Sequence, residues 1–373
     1  MQFSLTLALL LCVLPATVYT WNRNCINRPV GFGYRTTGGA GGRTVRPRNI
    51  NELKNYLRSN QKLIIDLTTT FDFTSSEGWV TSSGCFFQRC GSGFQESLVH
   101  AGTCNGRPPT KVKYAKAGVT ELIVGSNKSI ISSNGRGKIK GKGLRIKNAK
   151  NVIIRDITIS DINPEVIWAG DALAFDNVVN VWIHRVTFAR IGRQHLVTYQ
   201  RTNKGITVSS CFFDGSTRNA AYCDGNHFWV WLFWGTYDEI TLINNYVRNT
   251  AGRTPHAGGW SKSRNYVHLV GNTMENNHHG GIEPLTGSYI LSEGNKWSRF
   301  THPVNIQAKG GHLAMVNDGH GASACRRYFG GNCLINKYDR VSRSKQWFDE
   351  SVLNAFSKLD KGAINQARHA TCV

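Results

Sequence analysis

Asn151-Val-Ile-Ile-Arg-Asp-Ile-Thr-Ile159 is the first of six segments that share one pattern: a β-branched strand, a polar break and a second short strand. The others are Asn180-Val-Trp-Ile-His-Arg-Val-Thr-Phe188, Gly205-Ile-Thr-Val-Ser-Ser-Cys-Phe-Phe213, Glu239-Ile-Thr-Leu-Ile-Asn-Asn-Tyr-Val247, Tyr266-Val-His-Leu-Val-Gly-Asn-Thr-Met274 and Tyr289-Ile-Leu-Ser-Glu-Gly-Asn-Lys-Trp297. They start 23 to 34 residues apart, a period typical of solenoids. Alternating apolar residues mark each segment as β, and stacked coils bury faces that a single coil leaves exposed. The repeat therefore predicts an all-β solenoid.

Three asparagines fall at equivalent points of the later repeats. Asn245, Asn272 and Asn295 each follow the first strand of their segment. Amide side chains carry both donors and acceptors, so stacked copies can hydrogen-bond along the solenoid axis. We interpret them as a structural ladder rather than as catalytic groups.

The ends of the chain predict caps. Leu53 and Leu57 have helical spacing behind an N-cap candidate, Asn49 or Asn51, which predicts an N-terminal capping helix over the first coil. Apolar residues on one face of residues 346–365 predict a C-terminal helix packed on the outside. Residues 68–110 and 298–345 are the least regular and are expected to form long loops.

The first 20 residues predict a secretion signal, cleaved between Ala16 and Thr20, so that 21–373 form a single extracellular domain. No later segment is apolar enough to span a membrane. Nine cysteines remain once Cys12 is removed, and an odd number leaves at least one free or intermolecular thiol. Disulfides are favoured over zinc in an exported protein. Asn127-Lys-Ser129 is a glycosylation sequon.

The charge balance favours a polyanionic partner. The chain has 45 Lys and Arg against 23 Asp and Glu, a net charge of +22, and such a field attracts polyanions. The charges are dispersed, and no zinc-finger, homeodomain or RNA-recognition motif occurs. For a secreted protein this favours an acidic polysaccharide over nucleic acid.

Three fragments on successive extended segments would bring two arginines and one aspartate into a shared cleft. They are Trp168-Ala-Gly-Asp-Ala-Leu173, Arg190-Ile-Gly-Arg-Gln-His195 and Ala251-Gly-Arg-Thr-Pro255. With Cys223-Asp-Gly-Asn-His-Phe-Trp229 and Gly294-Asn295, they resemble the fungal-type pectin lyases of the pectate lyase superfamily. The resemblance is densest from Asn163 to Asn295. It implies a right-handed parallel β-helix and endo-cleavage of methyl-esterified pectin in plant cell walls by β-elimination, giving 4,5-unsaturated products without a metal or other cofactor.

The resemblance also implies roles for single residues. Arg253 matches the catalytic base, Arg193 the group facing the uronyl carbonyl, and Asp171 an aspartate that could orient an arginine. Arginine has a pKa above 12, so a dry, positive pocket would have to lower it. Substrate binding is expected at Trp168, His227, Phe228 and Trp229. We favour an outward Trp229 and leave Trp231 and Trp234 open.

Cysteine pairing is implied by the same resemblance. It suggests Cys85–Cys104, Cys90–Cys223 and Cys325–Cys333. Cys25 and Cys372 could join the termini, and Cys211 could be a buried thiol. A monomer with no nucleic-acid or membrane partner is expected.

Two departures keep other functions open. The superfamily commonly has Trp-Ile-Asp-His where this chain has Trp182-Ile-His-Arg185, which would add a cation near the site. The pectate lyase pattern Arg-x-Pro-x-x-Arg ends here in Gly258, which argues against that branch. The alternatives are a calcium-dependent pectate lyase, a pectin hydrolase, which would need paired carboxylates, and a non-catalytic pectin-binding protein.

Overall fold

The computed structural model describes residues 21–91, 93–305, 307–341 and 347–372. The predicted secretion signal lies outside the described residues. The first strands in chain order are β1 Arg43–Val45, β2 Leu63–Asp66, β3 Thr70–Asp72, β4 Trp79–Cys90, β5 Gly93–Leu98, β6 Pro109–Ala115, β7 Leu122–Val124, β8 Lys128–Ile131, β9 Lys138–Lys140, β10 Leu144–Arg155, β11 Thr158–Ile162, β12 Val166–Ile167, β13 Leu173–His184 and β14 Thr187–Ile191.

The later strands complete the repeats. They are β15 Leu196–Thr198, β16 Thr202–Ser209, β17 Phe212–Asp214, β18 Trp231–Phe233, β19 Tyr237–Ile243, β20 Tyr246–Thr250, β21 His256–Ala257, β22 Asn265–Val270, β23 Thr273–Asn277, β24 Glu283–Pro284, β25 Ser288–Glu293, β26 Lys296–Phe300, β27 His312–Met315 and β28 Lys337–Asp339. The helices are α1 Ile50–Arg58, α2 Gly319–Phe329, α3 Ser351–Phe356 and α4 Lys361–His369, with short 3-10 turns at Gly31–Gly33 and Lys116–Val119.

The strands stack into a right-handed parallel β-helix, as the repeat and the resemblance predict. One sheet runs β1-β2-β8-β10-β13-β16-β19-β22-β25-β27, and a second runs from β28 to β3 through β26, β23, β20, β17, β14, β11 and β9. The first sheet has a branch, β7-β10-β13-β15-β18-β21-β24, which we call the groove sheet. Strands β10 and β13 belong to both because left-handed Asn148 and Asn177 bend them midway.

Inward rows of apolar side chains fill the coil. Leu144, Leu173, Leu196 and Trp231 are in register across four strands of the groove sheet, and each is 0% exposed. Trp231, whose direction the sequence leaves open, is therefore a core residue. Burying four such side chains contributes about 2 kcal/mol each before entropy is subtracted.

A sharp turn follows the first strand of each repeat. Asp156, Arg185, Ser210, Asn244, Gly271 and Gly294 all have positive φ there. The next residue in three successive coils belongs to the asparagine ladder, in which Asn245 donates to Asn272 at 2.9 Å and Asn272 to Asn295 at 2.9 Å. The prediction of a ladder is confirmed, and Asn336 extends it.

The N-terminal cap is confirmed. Helix α1 begins after Asn49, whose side chain accepts hydrogen bonds from the backbone N–H groups of Asn51 and Glu52, as an N-cap does. Leu53 and Leu57 are fully buried against the first coils. The helix thereby closes the apolar end of the solenoid.

The single C-terminal helix predicted over residues 346–365 is two helices in the structure. Helix α3 begins at Ser351, and Asp360 caps the separate helix α4 by accepting from the N–H of Ala363; Gln346 lies outside the described residues. Val352 and Phe356 are buried on the outside of the coil, as expected. Asp360 favours a new N-cap over a continued helix, which explains the break. The apolar pattern continues across it, so periodicity alone predicted one helix.

The expectation of long loops at 68–110 and 298–345 is wrong in part. Strand β4 pairs antiparallel with β5 and β6, forming a lobe beside the coil, and 298–345 contains β27, α2 and β28. Most of β4 stands clear of the core, so ten of its twelve residues are exposed or half-buried. Such a strand lacks the apolar alternation that reveals strands in sequence. None of the described helices has the length and apolar character to cross a membrane.

Candidate active site

A groove of about 590 Å³ lies over the outer face of the groove sheet. Ala174, Val197 and Leu232 are in register across β13, β15 and β18 and form its apolar floor. The same row continues to Arg145 on one side and to His256 on the other. Alternation along each strand points this row outward, opposite to the core row one residue away.

Asp171 and Arg193 meet at the edge of this floor, just before strands β13 and β15. Nη1 of Arg193 lies 3.0 Å from Oδ2 and 3.2 Å from Oδ1 of Asp171. The Asp171 carboxylate also accepts from the N–H of Gln194 at 2.8 Å. The guanidinium carbon of Arg193 sits 3.9 Å from the ring centroid of Trp168, so the cation is held between a carboxylate and an aromatic face.

Arg253 lies close by without an ion-pair partner among the described residues. Its guanidinium carbon is 4.6 Å from the ring centroid of Trp229 and 5.8 Å from that of Phe228. Burial lowers its pKa to about 10, and the charge of Arg193 acts in the same direction against the opposing influence of Glu283. The environment therefore weakens the preference for the charged form, as a basic role requires.

His227 does not line the groove, contrary to its predicted place among the substrate-binding residues. It is 4% exposed and stacks on His195 with ring centroids 4.9 Å apart. Its Nε2 lies 2.8 Å from the carbonyl oxygens of both Arg193 and Trp229, and burial lowers its pKa to about 4. The neutral ring therefore donates Nε2–H to the backbone that carries Arg193 and supports the site from behind.

Some aromatic residues line the groove and others belong to the core. Their distribution differs from the alternation of side chains along a single strand, which would place Trp229 and Trp231 on the same side. Trp168 and Trp234 line the groove, and Phe228 lines a neighbouring cavity of about 470 Å³ that shares Arg253 and His256. Trp229 faces Arg253 but is only 9% exposed. Residues 228–230 precede β18 and are not strand, so Trp229 and Trp231 point to different sides.

Several groove residues escaped the sequence analysis. His256 Nδ1 lies 2.7 Å from Oε2 of Glu283, next to Arg253. On the other side, Glu121 accepts from the hydroxyl of Tyr199 at 3.1 Å, and Nη2 of Arg145 lies 2.6 Å from Asp176. Arg145 and His256 fall on strands at outward positions, so alignment of the strands in register was the signal that could have found them.

One disulfide attaches the lobe to the groove. Cys90–Cys223 joins β4 to the loop that leads to Phe228 and Trp229, and Cys85–Cys104 closes the lobe itself. Cys325–Cys333 and the terminal pair Cys25–Cys372 are also bonded, and Cys211 is a free, buried thiol. Burial raises the pKa of the Cys211 thiol to about 12, which keeps it protonated and unreactive.

His184 and Arg185 add no cation to the groove, so that expectation from the sequence is wrong. Arg185 occupies the left-handed turn after β13, and its Nε lies 2.6 Å from Asp156. His184 is 1% exposed, and its Nδ1 lies 2.9 Å from the hydroxyl oxygen of Ser209. Both residues therefore serve the turn, at the opposite end of β13 from Asp171.

Glycosylation and metal binding are the two remaining points. Asn127 is half-buried at a turn, where its Oδ1 accepts from Asn151 at 3.0 Å, and its glycosylation stays a prediction. Within the described ranges, no cluster of three or more His, Cys, Asp or Glu side chains is arranged to hold a metal ion.

Comparison with known proteins identifies relatives over most of the length. The chain is 38% identical to the probable pectin lyase B of Aspergillus fumigatus over 313 residues, which are 83% of this chain and 82% of that protein. It is 37% identical to pectin lyase B of Emericella nidulans over 343 residues, 90% of this chain and 89% of that protein. No family model matches.

Solved structures share the fold. A pectate lyase from Paenibacillus sp. 0602 superposes with a TM-score of 0.55 at 13% identity, covering 92% of this chain and 99% of that one. A pectate lyase from Bacillus sp. N165, solved with trigalacturonate, gives a TM-score of 0.53 at 18% identity over 88% of this chain and 97% of that one. At these identities the likeness is one of architecture.

Proposed function

Because this chain belongs to the pectin lyases, we propose that it cleaves methyl-esterified galacturonan within the chain by β-elimination and leaves 4,5-unsaturated ends. One observation carries the proposal: Arg253, with a pKa near 10, stands beside the Arg193–Asp171 pair at the edge of an apolar floor. The reaction needs a base and a fixed positive charge at the same sugar, and we assign these roles to Arg253 and Arg193.

Arg253 is the proposed base. In its neutral form the guanidine accepts the C5 proton, the C5 electron pair forms the C4–C5 double bond, and the C4–O bond breaks. The departing oxygen takes a proton from solvent, and the proton on Arg253 returns to solvent. Trp229 and Phe228 exclude water from the guanidine, which favours its neutral form.

Arg193 is the proposed electrophilic group. Negative charge develops on the C6 carbonyl oxygen as the C5 proton leaves, and a fixed guanidinium stabilises it in the transition state. Asp171 engages Nη1 of Arg193 and so fixes its direction. A methyl ester makes the C5 proton more acidic than a carboxylate does, because no ground-state negative charge opposes the carbanion.

The floor supports the choice of ester over acid. Ala174, Val197 and Leu232 offer no charge to a carboxylate, whereas a methyl ester buries apolar surface against them at about 25 cal/mol per Å². Trp168 and Trp234 provide flat faces against which sugar rings stack. Phe228 and Trp229 are assigned to the same binding surface on the far side of Arg253.

The setting of this activity is proposed with it. Export through the signal at residues 1–20, an extracellular monomer of one domain at 21–373, and glycosylation at Asn127 all fit a secreted enzyme of the plant cell wall. The four disulfides are consistent with folding in an oxidising compartment. Neither nucleic acid nor membrane is a proposed partner.

An ultraviolet assay for unsaturated uronide tests the function. Highly methylated pectin and de-esterified polygalacturonate are compared, each with calcium and with chelator. We expect product from methylated pectin at a rate that chelator does not change. Product only from polygalacturonate with calcium would indicate pectate lyase activity, saturated reducing ends a hydrolase, and binding without product a non-catalytic protein.

A further inference from the structure

A third cavity, which we call the basic pocket, opens from the groove beyond the apolar floor. Its volume is about 500 Å³, and it shares Arg145, Tyr199 and Trp234 with the groove. The rest of its lining is polar or charged: Lys147, Asn148, Asp176, Gln200 and Arg201. A polysaccharide that lies on the floor therefore reaches the basic pocket by continuing past Tyr199 and Trp234.

Cations outnumber carboxylates in the basic pocket. Asp176 accepts from Nε of Arg145 at 3.1 Å and from Nη2 at 2.6 Å, so these two charges offset each other. Lys147 and Arg201 are exposed, and neither forms an ion pair with any described residue. Two positive charges thus remain available to a ligand.

The carboxylate that bonds Tyr199, Glu121, does not offset them. Glu121 lies in the groove, where the Tyr199 hydroxyl bonds it at 3.1 Å and Nη1 of Arg145 lies 3.7 Å away. Burial raises the pKa of Glu121. Tyr199, with Arg145 4.2 Å above its ring, separates Glu121 from the exposed cations.

Strand β10 fixes the direction of Lys147, and the bend between β15 and β16 carries Arg201. Lys147 is two residues beyond Arg145 on β10, so both leave the same face, and register places Lys147 beside Asp176. Arg201 follows Tyr199 by two residues in the bend after β15, and both line the basic pocket. Uncharged floor and unpaired cations are therefore segregated along one continuous surface.

We propose that the basic pocket is a subsite for galacturonate residues with free carboxylates, bound by Lys147 and Arg201, while a methyl-esterified residue occupies the reacting position. This deepens the proposed function and rests on it. The enzyme would then favour pectin in which esterified and free residues are mixed, with the ester where the C5 proton leaves and the acid in the basic pocket.

The test is the double variant Lys147→Gln/Arg201→Gln, with Lys358→Gln/Lys361→Gln as the control. The control also removes two positive charges, from exposed positions on or beside helices α3 and α4. kcat/KM is measured on highly methylated and on half-methylated pectin, at low salt and at 0.5 M sodium chloride. Since exposed ion pairs each contribute severalfold at most, we expect the ratio of half- to highly methylated pectin to fall roughly threefold to tenfold at low salt.

The expected difference shrinks in high salt, which screens exposed charges. An equal fall in the control variant would assign the effect to net charge and overturn the subsite, and so would an equal fall on both substrates. If the wild-type chain forms no unsaturated product from any pectin, the proposed function fails instead. Calorimetric binding of trigalacturonate then still tests the pocket: unchanged affinity in the double variant would overturn it.

Discussion

Arg253 sets the pH at which the proposed elimination can proceed. The base acts in its neutral form. With a pKa of about 10, the neutral fraction increases about tenfold for each unit by which the pH rises, as long as the pH stays below 10. We therefore expect kcat/KM on methylated pectin to rise with pH from 6 to about 9, with a slope close to one on logarithmic axes. A profile that is flat over this range would contradict Arg253 as the base.

Replacement of Arg253 tests the same assignment. Arg253→Ala should lower kcat by at least a thousandfold, because the group proposed to accept the C5 proton is lost, while circular dichroism stays that of the parent. Pectin also eliminates spontaneously in alkali, and this variant measures that background. Near-full activity in Arg253→Ala would show that another group abstracts the proton.

Asp171 is expected to act by holding Arg193. Asp171→Asn keeps the shape but removes the charge that orients Nη1, and we expect kcat to fall about 10- to 100-fold with a smaller change in KM. Asp161→Asn is the matched control, since Asp161 pairs with Arg190 on the exposed surface, where such pairs contribute about 0 to 1 kcal/mol. Equal effects of the two substitutions would argue against a special position for Asp171.

At the scale of elements, the asparagine ladder links coils along the axis. Asn272 is 1% exposed; its amide donates to Leu242 and Asn295, and its oxygen accepts from Asn245. Asn272→Ala leaves these buried groups unpaired, at a cost of about 2 to 4 kcal/mol in the free energy of unfolding. Urea unfolding measures it, with exposed Asn354→Ala on α3 as the control; a loss no larger than the control's would remove the ladder's stabilising role.

The ladder also explains Cys211. In its coil this residue takes the position of the asparagine, and its backbone N–H donates to Asn245 Oδ1 at 3.0 Å. Its thiol in turn accepts from the N–H of Val186. Cys211 thus lies between the asparagine ladder on one side and Val186, the apolar residue at the same position of the preceding coil, on the other. It needs no disulfide partner there.

At the scale of the whole molecule, the Cys90–Cys223 disulfide holds the lobe against the coil. Cys90–Cys223 spans 133 residues and Cys325–Cys333 spans 8; chain entropy assigns them about 5 and about 2.5 kcal/mol. Cys90→Ala/Cys223→Ala should therefore lower the unfolding temperature more than Cys325→Ala/Cys333→Ala. It should also raise KM for pectin, because the loop bearing Phe228 and Trp229 loses its anchor. Calorimetry and the ultraviolet assay decide, and a larger KM effect from the Cys325–Cys333 pair would refute this.

The sequence by itself determined the coil and the cluster of Asp171, Arg193 and Arg253. Both rest on local pattern: period-two apolar residues, a regular return of the strand, and short motifs at fixed places in successive repeats. Stacking in register then brings together residues 22 to 82 positions apart, as Asp171, Arg193 and Arg253 are, and the resemblance to the pectin lyases implied their roles.

Only the tertiary structure decided what surrounds that cluster. The burial of His227, the two sides taken by Trp229 and Trp231, the removal of Arg185 to a distant turn, and the basic pocket at Lys147 and Arg201 depend on which strand lies beside which and where each strand begins. A shift of one residue reverses the face of every side chain. Sequence periodicity does not locate strand boundaries to within one residue. The face on which each side chain lies, and the residues it contacts, therefore depend on packing.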